Sequence, residues 1–430
     1  MTRTAILNAR LIDPATDYDG PGGVVIENGK IVQVLRGAGQ TAPNGADIID
    51  AQGRCLAPGL IDIRVKTGEP GNEPKETLKS AALSAAAGGV TTIVVQPDTD
   101  PAIDDPAMID HIQRRGAALD LVHVRAAGAA TQGRAGERMA EIGLMDEAGA
   151  LYFTDVDHVI RNTRTLQRVM SYAASFNALI ACRPTEPWLS EGTVATAGEL
   201  ATRLGLSAQP ALAERIQLER DLALVEQTGA RYLVDQISTE GALEVLTRAR
   251  TRGLEVAASV SINHLCFNEI DIGDYRTFYR LDPPLRTEGD RQAMIEGIRD
   301  GLIDVITSAH CPEPAENKRR PFAEAEPGAV GLETLLAAAI SNLHHESGID
   351  LIDVLRPMTH GPASLLGLAS GVIAEGAPAD LVLFDAGAPI VVDASRLKSK
   401  SKNSPFDGRR LQGKVLLTMV DGRIVHDQRQ

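Results

Sequence analysis

Three basic side chains follow predicted β-strands at places where chemistry could occur. Arg64 and Lys66 lie at the end of an apolar run that begins at Leu60, and Arg183 follows a second run that ends at Cys182. Guanidinium and ammonium groups have no lone pair to offer and repel a dication, so they cannot ligate zinc. A cluster of such cations could hold a phosphate or carboxylate effector. An anion pocket formed by Arg64, Lys66 and Arg183 is therefore one possible interpretation of these residue types.

Ion pairing is the interpretation of these cations that we favour, and a catalytic role for Lys66 stays open. Buried charges need partners, so the cations could form ion pairs with nearby carboxylates. The candidate partners are Asp98, Asp155, Asp235 and Glu69. Lys66 could also be a base with a depressed pKa. Two isolated histidines, His264 and His310, are interpreted as hydrogen-bonded structural residues rather than catalysts.

The elements that would position these side chains alternate along the middle of the chain. From about residue 57 to about residue 368, short β-branched runs alternate with helical segments, which is the pattern of βα units in a parallel sheet. Eight such units close a barrel with its active centre at the carboxyl ends of the strands. The predicted strands are Leu60–Val65, Val90–Val95, Leu119–Val124, Leu151–Thr154, Leu179–Cys182, Tyr232–Ile237, Glu255–Ile262 and Asp304–Thr307. The predicted helices are Lys75–Ala87, Met108–Gly116, Thr163–Phe176, Leu212–Gln227, Gly241–Thr251, Asp290–Arg299 and Gly331–Glu346.

Both ends of the chain are predicted to be β-structure. Asn28-Gly29 and Asp421-Gly422 each separate two β-rich runs. Such pairs favour a hairpin, because a type I′ turn needs positive φ at both central residues. We therefore predict an α/β fold, with a (β/α)8 TIM-type barrel over residues 57–369 and a small β-sandwich built from residues 1–56 and 370–430.

Composition excludes some classes of function. The formal net charge of −14 argues against sequence-independent binding to nucleic acid or to an anionic membrane, since both need a basic surface. The first residues lack the apolar core of a signal peptide, and no later segment is apolar enough to span a membrane, so a cytoplasmic location is expected. The four cysteines are widely spaced without a Cys-x-x-Cys pair, which predicts free thiols.

Two charged stretches are predicted to be mobile. One, residues 313–320, follows the last predicted barrel strand, and the other, the lysine-serine run 395–402, precedes the final hairpin. The run is predicted to be a solvated loop, and the alternative is a contact for an acidic partner.

Six segments carry a resemblance to a known family. They read APGLID at 57–62, GGVTT at 88–92, QPDTDP at 96–101, PPLR at 283–286, HCP at 310–312 and VGLET at 330–334. In these segments the sequence resembles the amidohydrolase superfamily, and specifically the bacterial dihydroorotases, which cyclise carbamoyl aspartate in pyrimidine synthesis. The resemblance covers nearly the whole chain, and it implies a barrel of the amidohydrolase kind.

The resemblance also implies where metal ligands would stand. Dihydroorotases of this type use His-x-His after strand one, an acidic residue after strand four, a His after each of strands five and six, and an Asp after strand eight. The matching residues here are Arg64 and Lys66, Val156 (within one residue), Arg183, Gln236 and Ala309. Without a metal to activate water, or a carboxylate at 309 to accept its proton, amide hydrolysis has no obvious nucleophile. The resemblance thus predicts no catalytic residue, no metal and no cofactor.

The positions that grip substrate have changed as well. The family places an Arg before Glu-Pro-Gly and an Asn within Pro-Asn-Thr to hold the substrate carboxylate. Here these positions are Gly68 and Asp98, and an anion in place of an amide repels a carboxylate. His310 is the substrate-site position that keeps its family residue.

From these losses we expect a catalytically inactive dihydroorotase-like protein. The resemblance implies a partner, the aspartate carbamoyltransferase catalytic chain, for which this chain would be a structural or regulatory subunit, and it implies a homodimer. One alternative is an active dihydroorotase or related cyclic-amide hydrolase with an unconventional site, in which zinc would take part. The second alternative is a sensor of anionic metabolites that uses the cationic pocket.

Overall fold

The computed structural model describes residues 3–429 of the chain. Its strands are β1 (Arg3–Asp13), β2 (Tyr18–Glu27), β3 (Lys30–Arg36), β4 (Asp47–Asp50), β5 (Cys55–Pro58), β6 (Leu60–Val65), β7 (Val90–Val95), β8 (His123–Ala126), β9 (Leu179–Cys182), β10 (Ala195–Thr196), β11 (Ala208–Gln209), β12 (Arg231–Val234), β13 (Val256–Ser261), β14 (Val305–Thr307), β15 (Leu381–Val391), β16 (Arg410–Val420) and β17 (Arg423–Asp427). Its α-helices are α1 (Leu78–Ala87), α2 (Pro106–Ala117), α3 (Ile142–Glu147), α4 (Thr163–Ala174), α5 (Pro187–Ser190), α6 (Glu199–Leu204), α7 (Leu212–Thr228), α8 (Glu240–Thr251), α9 (Ile262–Cys266), α10 (Glu288–Arg299), α11 (Ala315–Lys318), α12 (Leu335–Ala339), α13 (Leu351–Leu355) and α14 (His360–Leu366). Short 3₁₀ turns span Gln132–Arg134, Glu269–Ile272, Thr277–Tyr279, Arg356–Met358 and Ala394–Arg396.

Two groups of parallel strands and three isolated bridges form the barrel wall. Strands β6, β7 and β8 pair in that order, and strands β9, β12, β13 and β14 pair in that order. Phe153 joins the groups by bridging Gly128 and Ile180, and Val65 pairs with His310 at the other seam. The spatial order follows the chain order, so the predicted amidohydrolase-type α/β fold is confirmed.

Three predicted barrel strands differ from the structure, and the mildest case is the sixth, which ends at Val234 instead of Ile237. The third strand begins at His123 instead of Leu119, because the turn after α2 passes through Asp120 in a left-handed conformation with φ of 56°. The fourth, predicted over Leu151–Thr154, is reduced to the bridge at Phe153. A short apolar run predicts a buried segment of the barrel wall, but it does not determine how many hydrogen bonds that segment makes with its neighbouring strands.

Side-chain caps set the starts of the barrel helices. A side-chain oxygen accepts a first-turn N–H at five starts, which are Thr77, Asp105, Asn162, Thr239 and Thr287. Six of the seven predicted helices begin and end within three residues of the observed bounds. The seventh, predicted over residues 331–346, begins as α12 at Leu335 and continues from Ile340 to Glu346 as a π-helical segment.

Strands from both ends of the chain form one eight-stranded sheet beside the barrel. Its order is β17-β16-β15-β5-β1-β2-β3, and β4 pairs with β1. Both predicted hairpin turns are present, with φ of 50° at Asn28 and 46° at Asp421. Because β5 and β15 pair with each other, the amino-terminal and carboxyl-terminal segments share one sheet.

The lysine-serine run is anchored rather than solvated. Ser399 and Ser401 are buried. The Ser399 hydroxyl donates to the Glu76 carboxylate, and the Ser401 hydroxyl donates to the Lys75 carbonyl oxygen at 2.6 Å. The prediction of a mobile, solvated loop is therefore wrong, because its serines satisfy buried acceptors on the loop before α1.

Two predictions from composition can be compared with the structure. Among residues 3–429, no helix is both long and apolar enough to cross a membrane. The cysteines are free thiols. Burial raises the pKa of the Cys182 and Cys266 thiols, so both stay protonated and unreactive near neutral pH.

Candidate active site

A ring of charged side chains occupies the mouth of the barrel, at the carboxyl ends of its strands. We call it the charged ring. Its members come from strand ends and loops that are far apart in sequence and meet because the strands are parallel. They are Arg64, Lys66, Asp98, Asp157, Arg183, Asp235 and Asp282.

Arg64 is the most deeply placed cation of the ring, with 3% of its side chain exposed. Its Nε donates to Asp235 Oδ2 at 2.7 Å, and its Nη2 donates to Asp157 Oδ1 at 2.8 Å. Asp235 in turn accepts from the Ser259 hydroxyl at 3.1 Å. Arg64 therefore links the first barrel strand to the fourth and sixth through two charge-assisted hydrogen bonds.

The other two cations complete the ring. Lys66 Nζ donates to Asp157 and lies 3.0 Å from Asp98 Oδ2. Arg183 Nη1 lies 2.7 Å from Asp282 Oδ2 and 3.4 Å from Asp157 Oδ1. Asp157 thus contacts all three cations and is the centre of the network.

The charges fix the protonation states of the ring. Burial alone would raise the pKa of Asp157, but Lys66, Arg64 and Arg183 hold it well below its usual range. Burial alone would lower the pKa of Lys66, but Asp157 and Asp98 outweigh burial and raise it. Lys66 is therefore a firmly protonated cation, and the hypothesis of a depressed-pKa base is wrong.

The predicted anion pocket is not free to bind an anion. Arg64, Lys66 and Arg183 face four carboxylates, so the ring carries a formal charge of −1. The ion-pair interpretation describes the geometry better, although only two of its named partners take part, Asp98 and Asp235. Asp155 instead accepts from Thr131, and Glu69 accepts from the Leu78 N–H at 2.8 Å and from Arg115.

The predicted metal positions lie together at the mouth, yet their side chains do not fit zinc. Three positions hold the ring cations Arg64, Lys66 and Arg183, and the other three hold an amide and two apolar groups, at Gln236, Val156 and Ala309. Zinc takes imidazole, thiolate and carboxylate ligands. We assign no chemical step to a metal at the mouth.

The backbone at three of these positions keeps an unusual conformation. Val156, Gln236 and Ala309 have φ of 58°, 60° and 50°, the left-handed region that β-branched valine in particular avoids. Such strained turns cluster at active sites, where they aim a side chain. The mouth therefore has active-site turns whose side chains are not metal ligands.

The predicted substrate positions have structural partners of their own. At Gly68, φ is 71° and a Cβ atom would stand 2.5 Å from the Asn72 carbonyl oxygen, which disfavours any larger residue. Asp98 is engaged by Lys66. His310 is fully buried, and its Nδ1 accepts the Gly331 N–H at 3.2 Å while its Nε2 lies 3.4 Å from Glu76 Oε2.

A cavity of about 170 Å³ opens beside the ring. Among residues 3–429, three buried acceptor atoms of its lining side chains have no hydrogen-bond partner, and these are Gln236 Oε1, Asn263 Oδ1 and His264 Nδ1. His264 Nε2 lies 3.3 Å from the Pro284 carbonyl oxygen, which can only accept, so Nε2 carries the proton. Burial lowers the pKa of His264 to about 4, and its Nδ1 keeps a free lone pair at neutral pH.

Two members of the ring were missed in the sequence. Asp157 lies in the segment that follows the fourth strand, but the family resemblance assigns the ligand position of that segment to its neighbour Val156. Asp282 directly precedes the Pro283-Pro284 pair of a family segment. The sequence did contain a usable signal. A buried cation requires a partner, so each cation at a strand end predicts an acidic residue near the end of a neighbouring strand.

Comparison with known proteins identifies the family. A family model described as Dihydro-orotase-like matches residues 53–242, and an Amidohydrolase family model matches residues 329–426. The dihydroorotase of Anaplasma phagocytophilum is 38% identical over 98% of this chain and 95% of its own length. The chain belongs to the dihydroorotase family. The dihydroorotase of Anaeromyxobacter sp. (strain K) is 37% identical over 98% of both chains, and a "Dihydroorotase-like protein" of Pseudomonas aeruginosa is 37% identical over 98% of this chain and 99% of its own length.

Solved structures agree with the family's fold. The L-hydantoinase (dihydropyrimidinase) of Arthrobacter aurescens superposes with a TM-score of 0.89 at 24% identity, covering 100% of this chain and 97% of that one. At this identity the likeness establishes the amidohydrolase fold and leaves the substrate open.

Two expectations are corrected by these comparisons. The expected noncatalytic role is contradicted, because full-length relatives at 35–38% identity are named dihydroorotase. The expectation of no cofactor is contradicted as well, because amidohydrolases of this family are metal-dependent and the chain offers a group of possible ligands, His123, Asp380 and Asp421.

This ligand group lies away from the charged ring. His123 is the first residue of β8, at the amino end of the barrel, whereas Asp380 directly precedes β15 and Asp421 lies in the turn between β16 and β17 of the terminal sheet. His123 Nε2 lies 3.0 Å from Asp380 Oδ2 and 3.8 Å from Asp421 Oδ2. The hydrogen bond to Asp380 raises the pKa of His123, although burial opposes it. The group therefore links the barrel to the sheet domain.

Proposed function

We propose that the chain is a cyclic-amide hydrolase of the dihydroorotase type, which works at the barrel mouth with an unconventional set of residues. One observation carries the proposal: relatives named dihydroorotase match 97–99% of the chain at 35–38% identity. The cavity beside the charged ring and the strained turns that surround it support the same location.

The reaction sets two demands on the mouth. Water adds to the ring carbonyl carbon, the C–N bond breaks, and the released nitrogen takes up a proton. The transition state needs positive charge near the carbonyl oxygen and an acceptor for the proton of water. Arg64 and Lys66 line the cavity, and this positive charge has to come from them while they remain paired with the carboxylates of the ring. The neutral His264 lines it as well, and its free Nδ1 is the available proton acceptor, whereas Asp157 is held by the ring cations and positions them.

Direct turnover measurement tests this proposal. Hydrolysis of dihydroorotate and cyclisation of carbamoyl aspartate are followed with the purified chain, with and without added zinc. We expect turnover above the uncatalysed rate, reduced at least about tenfold in His264→Gln, since general acid–base groups contribute factors of this size or more. Asp157→Asn should reduce turnover as well, because it removes the carboxylate that positions Arg64 and Lys66. The control is Asp120→Asn, whose carboxylate pairs with Arg423 outside the mouth.

Two outcomes would reject the assignment. The first is a rate that never exceeds background with either substrate. The second is a rate that survives both mouth substitutions, because the reaction would then belong to a contaminant or to another site.

We also propose that the chain assembles with the aspartate carbamoyltransferase catalytic chain and that it forms a homodimer. The resemblance of the sequence to partner-forming dihydroorotase-like chains supports this proposal. Light-scattering mass on a sizing column, for the chain alone and mixed with that enzyme from the same cell, tests it. A defined large complex in the mixture is expected, and two independent peaks would reject the partner.

A further inference from the structure

We infer that the mouth cavity selects an uncharged cyclic amide that donates N–H groups over one that carries a carboxylate. This inference rests on the proposed function and deepens it by naming the class of substrate. It follows from the unpartnered acceptors of the cavity, from the charge of its lining and from the altered substrate positions.

The unpartnered atoms of the cavity are all acceptors. Gln236, Asn263 and His264 are at most 4% exposed, and each keeps one acceptor atom without a partner among residues 3–429. The Asn263 amide nitrogen donates to Ser261 Oγ at 3.2 Å, which leaves its oxygen as the free atom. Buried polar atoms are nearly always hydrogen-bonded in folded proteins, so three exceptions around one cavity indicate a ligand that supplies donors. The ring N–H groups of a cyclic amide or ureide are such donors.

The lining disfavours a negative ligand. Its basic residues are Arg64, Lys66 and Lys75, and its acidic residues are Asp157, Asp282, Glu313 and Glu326, a formal charge of −1. The basic groups are already engaged, since Lys75 Nζ lies 2.7 Å from Glu313 Oε1 and the others are bound in the charged ring. A carboxylate entering here would meet more negative than positive charge in a site where screening is weak.

The positions that the family resemblance assigns to the substrate carboxylate also disfavour an anion. Gly68 has no side chain to offer, and Asp98 would repel an anion. Arg183, the remaining guanidinium of the mouth, is held by Asp282 at 2.7 Å. These changes remove no binding partner of a neutral ligand, whereas they remove the binding partners of a carboxylate.

A matched pair of ligands isolates the carboxylate. Dihydroorotate is dihydrouracil with a carboxylate on the ring, so the two differ in that group alone. Binding of each is measured by isothermal titration calorimetry, with heat from turnover separated by ligand-observed NMR. We expect dihydrouracil to bind at least about tenfold more tightly, a difference of about 1.4 kcal/mol.

Two substitutions test the acceptors and the charge separately. Asn263→Leu removes one free acceptor and should weaken dihydrouracil binding about fivefold, the usual weight of one hydrogen bond. Gln236→Met provides a second test if the first variant does not fold. The matched control is Asn342→Leu, whose amide donates to Ala338 away from the mouth. Asp282→Asn removes one negative charge of the lining and releases Arg183, so it should strengthen dihydroorotate binding severalfold and narrow the preference for dihydrouracil.

Three results would overturn the inference. They are tighter binding of dihydroorotate than of dihydrouracil, no binding of dihydrouracil at millimolar concentration, and unchanged dihydrouracil affinity in both Asn263→Leu and Gln236→Met. The assay reads binding and not turnover. Selective binding without hydrolysis would therefore reject the proposed function and sustain this inference, whereas turnover of dihydroorotate with the reverse selectivity would do the opposite.

Discussion

Replacement of Arg64 by methionine should destabilise the fold measurably, because it removes a buried cation and leaves its carboxylates behind. Asp235, with 7% of its side chain exposed, would lose the one cation it contacts within the ring and keep only the Ser259 hydroxyl. Asp157 would lose one of three cations and is partly exposed, so it adds less. Removing one partner of a buried ion pair costs about 3–5 kcal/mol, and we expect about 3 kcal/mol here, mostly from Asp235.

A double-mutant cycle checks this reasoning. Unfolding in urea is measured for Arg64→Met, for Asp235→Asn and for the double variant. Because Asp235→Asn neutralises the abandoned carboxylate, the double variant should be more stable than the sum of the single changes by about 1–3 kcal/mol. The control pair is Arg114 with Asp110, exposed on α2, where Arg114→Met should change stability by less than about 0.5 kcal/mol. A cycle with no coupling, or an Arg64→Met variant as stable as the parent, would refute the account.

Three further predictions concern other parts of the fold. The hydrogen bond to Asp380 raises the pKa of His123, so protonated His123 stabilises the folded chain fully below its unfolded-state pKa, and this stabilisation is lost as pH rises through the folded-state pKa. The free energies of unfolding of the parent and of His123→Gln should therefore converge at higher pH. Burial lowers the pKa of Lys318 to about 8, so the unfolded state binds more protons than the folded state between pH 8 and about 10.5. The contribution of this site to the free energy of unfolding should therefore rise with pH in that window, and the rise should be absent in Lys318→Met. Gly71→Ala should destabilise the chain more than Gly37→Ala by at least about 1 kcal/mol in urea unfolding. The two glycines have nearly the same φ, near 95°, but of the two only Gly71 would bring the new methyl group against a backbone carbonyl oxygen, at 2.1 Å. Equal losses at the two glycines would show that steric contact plays no part.

The sequence predicted the layers of the fold well because they depend on local patterns. Apolar runs of four to six residues and capped helices repeat along the barrel, and Asn-Gly and Asp-Gly turns mark the terminal sheet. The failures lie where tertiary contacts override local preference. The fourth strand survives as the Phe153 bridge, and the lysine-serine run is held by Glu76, a residue more than three hundred positions away in sequence.

The site was predicted in position but not in its pairing. Arg64, Lys66 and Arg183 do converge at the mouth, as strand ends of a barrel must. Their partners Asp157 and Asp282 were not identified, because a sequence shows that a buried cation needs a carboxylate without showing which loop supplies it. The ion pairs that the sequence favoured are present, and the alternative of an open cationic pocket is not, because carboxylates outnumber cations in the ring.

The charged ring also explains how a mouth of this composition can keep the shape of its family. Left-handed turns at Val156, Gln236 and Ala309 cost on the order of 1 kcal/mol or more each, and they persist only where surrounding contacts fix them. In this chain Arg64 ties the loops after strands one, four and six together through Asp157 and Asp235. The ion pairs thus hold two of the three loops that carry the strained turns, those of Val156 and Gln236. If so, loosening the ring should disturb the cavity before it disturbs the barrel, and dihydrouracil binding should fall in Arg64→Met even under conditions where the variant remains folded.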